Sequence, residues 1–185
     1  MHYLEVILWI IFIIIFIIFL LLFLLSIINS FRFKVPQVST FKSDFKVMKK
    51  WLKKYNLEWK KIADLWSWTW KVLRFFEKEF NMKTTWYEID LANILIAKVV
   101  NKIYWLNSIF YKKDYLKADL KKYDIIYIYL FPELIEKIEN KIWNECNKWT
   151  IVISNAFKFK KHKPINVLKN KKWEEEVFLY KVNLQ

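Results

Sequence analysis

From Val6 to Ile28 the only clearly polar residue is Ser26. As a helix this run measures roughly 34 Å at 1.5 Å per residue, enough for a hydrocarbon core of about 30 Å. A cleaved signal sequence is the competing reading. It calls for a basic start, an apolar stretch of about 7 to 15 residues and a small-residue cleavage site. Met1-His2-Tyr3-Leu4-Glu5 carries no Lys or Arg, and the apolar stretch is longer. The pattern therefore predicts an uncleaved transmembrane anchor over residues 1–30. Arg32, Lys34, Lys42, Lys46, Lys49 and Lys50 come directly after it, so the positive-inside bias gives a single-pass protein of the cell membrane with its C-terminal side in the cytoplasm. Asn29 to Phe41 holds Pro36 and several hydroxyl residues and lacks a period. Phe45, Met48, Leu52 and Tyr55 then recur at helical spacing among Lys46, Lys49, Lys50, Lys53 and Lys54. Residues 31–59 thus read as a linker and an amphipathic helix, which either offers lysines to lipid headgroups or packs on the C-terminal domain.

Beyond Lys60 short apolar runs alternate with helical periods. Strands are predicted at 61–65, 84–89, 108–111, 124–129 and 150–155, with a last pair near 165–168 and 177–182. Helices fall between them at 71–80, 91–104 and 133–146. In the last helix Ile135, Ile138 and Ile142 form the apolar stripe, and Glu133 with Lys137 makes an i,i+4 pair. Strands alternating with helices predict an α/β domain over residues 60–185, with a Rossmann-like, doubly wound, mostly parallel sheet preceded by one N-terminal transmembrane helix. Ligands of such sheets bind beyond the carboxyl ends of the strands, at the switch point.

Composition changes the picture, because the 185 residues include 11 tryptophans and no glycine. Average usage puts about 13 glycines in a chain of this length. The predicted first strand runs into Trp66-Ser67-Trp68-Thr69-Trp70-Lys71, where indoles alternate with small hydroxyl residues. With glycine for each tryptophan the stretch from Asp64 becomes D-L-G-S-G-T-G-K, a strand-to-helix turn that lets backbone approach a nucleotide cofactor. Trp59, Trp86, Trp105, Trp149 and Trp173 also fall at predicted turns or helix stops, where glycine supplies positive φ without a Cβ clash. Trp9, Trp51 and Trp143 fit either residue. The account that covers these positions is a gene whose UGA codons mean glycine, read as tryptophan. The alternative is a protein that carries the indoles.

Net charge of +14 suits an anionic lipid surface or nucleic acid. The lysines are spread along the chain rather than interleaved with aromatics on one element, which argues against nucleic acid. The single cysteine, Cys146, points to no disulfide framework or metal cluster, and reads as a small buried side chain.

Asp64-Leu65-Trp66-Ser67-Trp68-Thr69-Trp70, read with glycines, resembles the first motif of class I S-adenosylmethionine-dependent methyltransferases. The resemblance implies S-adenosyl-L-methionine as the cofactor of this loop. It implies that Glu88, with Ile89, holds the ribose hydroxyls after the second strand, and that Asp114, with Tyr115, meets the adenine amino group after the third. A carboxylate can accept from both ribose hydroxyls at once. A nicotinamide-dependent dehydrogenase is the rival. Its spacing is G-x-G-x-x-G, whereas here it is G-x-G-x-G with an acid two residues ahead and a further acid at Asp114.

Asp124 to Leu134, Thr150 to Phe159 and His162-Lys163-Pro164 make the resemblance narrower. Over about residues 36–182 the chain is similar to the small membrane-anchored protein-lysine methyltransferases related to those acting on the ATP synthase c subunit. Val38-Ser39-Thr40 resembles the segment that closes over the cofactor there. Thr69 stands where that group has aspartate, and Lys71 where arginine is frequent. The resemblance implies methyl transfer to a lysine amine of a membrane-associated protein; the single cysteine and the spread of the lysines add the expectation of no metal and no nucleic acid. Topology puts the acceptor beyond the fourth strand, so Leu130, Phe131, Pro132 and Glu133 are the catalytic-side candidates. Pro132 and Glu133 equally suit the start of a helix. His162 reads as a loop residue rather than a general base. A catalytically inactive tethered binding module and an RNA methyltransferase remain the alternatives.

Overall fold

The computed structural model describes residues 2–33, 40, 42–66, 71–169 and 176–183. The chain divides into two compact units, residues 1–35 and 36–185. The first is helix α1 (His2–Phe33), in which Tyr3–Leu25, of mean hydropathy 3.7, is long and apolar enough to cross a membrane. Its large apolar side chains, Ile7, Phe12 and Leu21 among them, are exposed.

The second unit runs α2 (Lys42–Leu52), β1 (Lys61–Asp64), α3 (Lys71–Phe80), β2 (Lys83–Glu88), α4 (Leu91–Ile103) and β3 (Ile109–Lys112). It continues through a 3-10 turn (Tyr115–Lys117), β4 (Ile125–Ile128), α5 (Pro132–Glu145), β5 (Ile151–Asn155), β6 (Asn166–Lys169) and β7 (Glu176–Lys181). The strands form one seven-stranded sheet of order β3-β2-β1-β4-β5-β7-β6. Strands β1 to β5 are parallel, and β7 runs antiparallel between β5 and β6. This is the mostly parallel α/β sheet that the pattern predicts, and its order reverses between β1 and β4.

Strand alternation sorts the core into two layers. Ile62, Ile125, Tyr127, Ile151 and Ile153 face Met48 and Leu52 of α2 and Val72 and Phe76 of α3. Ala63, Leu65, Ile126, Ile128 and Val152 face Ile135, Ile138 and Ile142 of α5. Both faces are covered, so the central strands are apolar throughout rather than alternating. The amphipathic helix α2 shares the core of the sheet through Met48, Trp51 and Leu52.

The backbone bears directly on the tryptophans. Among the described residues five non-glycine positions have positive φ: Trp59 (62°), Asn81 (53°), Trp105 (54°), Trp149 (77°) and Ala156 (66°). Trp105 comes after the C-cap of α4, Tyr104. Its N–H donates to Lys102 O at 3.3 Å while Leu106 N–H donates to Asn101 O at 2.9 Å. That bond pair is the Schellman motif, whose left-handed residue is usually glycine. Lys60 N–H donates to Leu57 O, and Thr150 N–H to Asn147 O, both at 3.1 Å. Trp59 and Trp149 therefore stand third in hydrogen-bonded four-residue turns, where positive φ calls for glycine or asparagine. All three indoles are exposed, at 63%, 90% and 56%.

Trp86 corrects the expectation of a turn. It lies inside β2, 1% exposed, among Leu73, Ala97 and Phe110. The Trp-Tyr-Glu run before Ile89 is strand up to Glu88, and the turn begins one residue later. Ser67, Trp68, Thr69, Trp70 and Trp173 lie outside the described residues.

Candidate functional site

Parallel pairing sets the carboxyl ends of β1, β2 and β3 side by side: Asp64 pairs with Trp86, and Glu88 with Lys112. Three of the predicted acids, Asp64, Glu88 and Asp114, thus stand at or just past the ends of adjacent strands. Asp64 is fully buried, and its Oδ1 accepts from Trp66 N–H at 3.2 Å. On the other side of the switch point Leu65 N–H donates to Tyr127 O at 3.1 Å, so the chain leaving β1 stays on the sheet before it turns towards α3.

Glu88 closes the β2–α4 turn. Its Oε1 accepts from Ile89 N–H at 2.8 Å and Asp90 N–H at 2.9 Å, and Oε2 accepts from Asn93 Nδ2 at 3.3 Å. Asp90 in turn caps α4 by accepting from Ala92 N–H at 2.9 Å. Burial raises the Glu88 carboxyl from 4.5 to about 7, against the lowering effect of these hydrogen bonds. Near neutrality this group is therefore poised between an acceptor-only carboxylate and an acid that can donate. Asp114 caps the 3-10 turn, its Oδ1 accepting from Leu116 N–H at 2.9 Å. Tyr115 is buried in the layer facing α5, and the Trp66 indole meets it edge-on with ring centroids 5.7 Å apart. Ile89 is half-buried beside Glu88. The cofactor-side candidates that can be described, Asp64, Trp66, Glu88, Ile89, Asp114 and Tyr115, line one edge of the sheet.

The four residues after β4 divide. Leu130 is a fully buried core residue on the α5 face. Pro132 begins α5 and Glu133 lies in its first turn. Both places arise from helix-start chemistry: proline gives up no hydrogen bond there, and an acid favours the positive end. Phe131, partly exposed, pairs with Phe157 at 6.2 Å.

Sequence reasoning missed the polar layer under α2. Tyr127 is fully buried, and its hydroxyl shares a 2.7 Å hydrogen bond with that of Thr40. Burial, and after it the charges of Asp64 and Asp44 and the nearby Tyr129, pushes this phenol well above its ordinary range; the Thr40 bond acts the other way. The signal was present in the chain: tyrosine at alternate positions of Ile125-Ile126-Tyr127-Ile128-Tyr129 puts two hydroxyls on one face of an otherwise apolar strand. Between α2 and α3 a cleft of about 470 Å³ is lined by Thr40, Phe45 and Phe75, by four cations, Lys42, Lys71, Arg74 and Lys78, and by Glu79.

His162 is a structural residue. Fully buried Glu139 of α5 accepts from the backbone N–H groups of Lys160, Lys161 and His162, and its Oε1 lies 2.9 Å from His162 Nδ1. The imidazole stacks on Trp143 at 3.6 Å. Cys146 is buried, and no group of metal-binding side chains occurs among the described residues.

No protein-family model matches the chain, and no curated protein matches it. Solved structures do. An RNA methyltransferase from Salinibacter ruber, in complex with S-adenosyl-L-homocysteine, aligns with a TM-score of 0.70 at 19% identity, over 80% of this chain and 95% of that one. A putative methyltransferase from Escherichia coli aligns at 0.64 with 12% identity, over 82% and 92% of the two chains. A methyltransferase from Pyrococcus furiosus aligns at 0.58 with 15% identity, over 83% and 91%. At these identities the likeness is one of fold: the mostly parallel seven-stranded sheet described above is shared with these methyltransferase structures.

Proposed function

We propose that this chain is a membrane-anchored S-adenosylmethionine-dependent methyltransferase acting on a lysine amine of a membrane-associated protein, and that its native form has glycine at positions 59, 66, 68, 70, 105 and 149. The observation that carries the reading is the row of acids at the carboxyl ends of three adjacent parallel strands, beside the switch point where such sheets bind ligands. The recoding is supported by the three tryptophans at left-handed backbone positions. The long apolar helix α1 supports the anchor, and the lysine and arginine bias after it supports a cytoplasmic domain.

The acids Glu88 and Asp114 fit the cofactor, whereas Trp66 fits it only as glycine. A carboxylate offers about four lone-pair sites, and the protein occupies three on Glu88. The longest of these bonds, from Asn93, yields most readily to a second ribose hydroxyl. Asp114 would meet the adenine amino group, and glycine at position 66 would leave the edge of Tyr115 to the ligand. S-adenosylmethionine, when bound, supplies a methyl group on a sulfonium, whose transfer leaves a thioether and converts a neutral amine into a methylammonium that sheds a proton. The chain's own part is to admit the amine unprotonated and hold it still. The apolar surroundings of Phe131 and Phe157 lower an amine pKa by disfavouring the cation, and positioning then supplies most of the rate.

A second reading, methylation of RNA, is favoured by the cationic cleft between α2 and α3 and by the RNA enzyme among the structural neighbours. Titrating S-adenosylmethionine calorimetrically into the full-length protein, with six glycines and with six tryptophans, tests the main reading. Binding is expected for the glycine form alone; if neither form binds, the methyltransferase reading ends. Salt-dependent binding of a structured RNA by the glycine form would move the acceptor from lysine to RNA.

A further inference from the structure

Asn155 is the last residue of β5 and is fully buried, yet neither its Oδ1 nor its Nδ2 has a hydrogen-bond partner among the described residues. Buried side-chain amides are almost always paired, so an orphan of this kind asks for an explanation. Its place in the sheet supplies one. Asn155 lies one step beyond the Ser154–Ile128 pair, beside Tyr129 at the carboxyl end of β4. By strand alternation it shares the face of Tyr127 and Tyr129 rather than that of Leu130.

The backbone just after it is strained independently. Ala156 has a φ of 66°, a conformation that costs an L-residue with a Cβ and that persists where the surroundings enforce it, often at functional sites. It is enforced here from both sides: Ala156 N–H donates to Glu176 O and Phe157 N–H donates back to Asn155 O, each at 2.9 Å. The turn also brings Phe157 against Phe131. An unpaired amide, a tyrosine and two phenylalanines thus converge beyond β4 and β5.

We infer that the Asn155 carboxamide receives the methyl acceptor, a primary amine on an aliphatic stem, with Oδ1 accepting one of its N–H groups while Phe131 and Phe157 flank the stem. The inference rests on the methyltransferase reading and gives it a substrate-contacting residue. An amide suits this role better than a carboxylate, which would favour the ammonium form and so withhold the lone pair that attacks.

The test uses the full-length glycine form saturated with S-adenosylhomocysteine, with Nα-acetyl-lysine methylamide as the probe, titrated at pH 9. Loss of one buried hydrogen bond predicts that N155A and N155L bind the probe about tenfold more weakly, while the affinity of each variant for S-adenosylmethionine stays within about threefold of the parent. Thermal unfolding without ligand is the second arm. Replacing an unpaired buried amide by an apolar side chain leaves N155L as stable as the parent or raises its Tm by about 2 °C. Equal probe binding by parent and variants, no binding by the parent, or a clear fall in the Tm of N155L overturns the inference. A parent that does not bind S-adenosylmethionine overturns the methyltransferase reading itself, and the inference falls with it.

Discussion

Replacing Trp105 by glycine should stabilise this protein, although tryptophan-to-glycine substitutions ordinarily do the reverse. Left-handed backbone costs an L-residue about 1 to 2 kcal/mol, and Trp105 adopts it at the end of α4 with both hydrogen bonds of the Schellman motif in place. Against that gain stands the small part of the indole that the fold buries. Trp105 is 90% exposed, so about 25 Å² of aromatic surface is at stake, or about 0.6 kcal/mol. The difference is a net gain of about 1 kcal/mol, equivalent to about 2 to 4 °C in Tm for a unit of this size. Urea unfolding of the full-length chain in detergent, monitored by near-ultraviolet circular dichroism, measures it. W105A is the control, because alanine removes the indole but keeps the Cβ that makes positive φ costly. A W105A gain equal to that of W105G, or no gain in W105G, would refute the steric reasoning.

Burial that raises Glu88 to about 7 from 4.5 means that the folded protein binds more protons than the unfolded chain between those values. Its stability contribution is therefore complete below pH about 4.5 and lost by pH about 7, a change on the order of 3 kcal/mol; unfolding free energies across that window should fall with pH in the parent and flatten in E88Q. If ribose hydroxyls bind the ionised form, S-adenosylmethionine affinity rises through the same window, and a flat profile would remove Glu88 from the site. Glu139 holds three backbone N–H groups and His162, so E139A should lower stability by about 3 kcal/mol, with a loss below about 1 kcal/mol contradicting the network. A double-mutant cycle of T40V and Y127F should give a coupling of about 1 kcal/mol, and additivity would mean that the 2.7 Å hydrogen bond does not tie the start of α2 to β4.

The fold was legible because its signal is repeated. Each strand is a short apolar run and each helix has its own stripe, so β1 to β5 and α3 to α5 could be placed within a residue or two without the structure. The placing of Asp64, Glu88 and Asp114 was legible because each closes or shortly follows a short strand-like run in sequence. The surroundings of the end of β4 were not, for two physical reasons. Leu130 to Glu133 are contiguous, but the chain turns from strand into helix within them, so one side chain enters the core and two serve the helix start. Asn155 and Tyr127 come to share one face of the sheet only through pairing and strand alternation across elements far apart in sequence, and nothing local marks a buried amide as unpaired.

Packing also separates the tryptophans in a way that composition does not. Trp143 stacks on His162 at 3.6 Å and meets Phe159 and Tyr180 edge-on; Trp51 is 8% exposed against the sheet. Their indoles fill space that glycine would leave empty, at a cost of about 3 to 5 kcal/mol for each cavity. Trp59, Trp105 and Trp149 fill none, and each bears backbone strain instead. A sequence whose every tryptophan is genuine has no reason to divide along that line, whereas one in which two codons have been merged does. The coding sequence should accordingly carry UGG at 51 and 143 and UGA at 59, 105 and 149. Trp86 is also buried, inside β2 among Leu73, Ala97 and Phe110, and its indole N–H, like that of Trp51, has no partner among the described residues. UGG at 59, 105 and 149 would leave three strained indoles in a chain without glycine, and would overturn the recoding account.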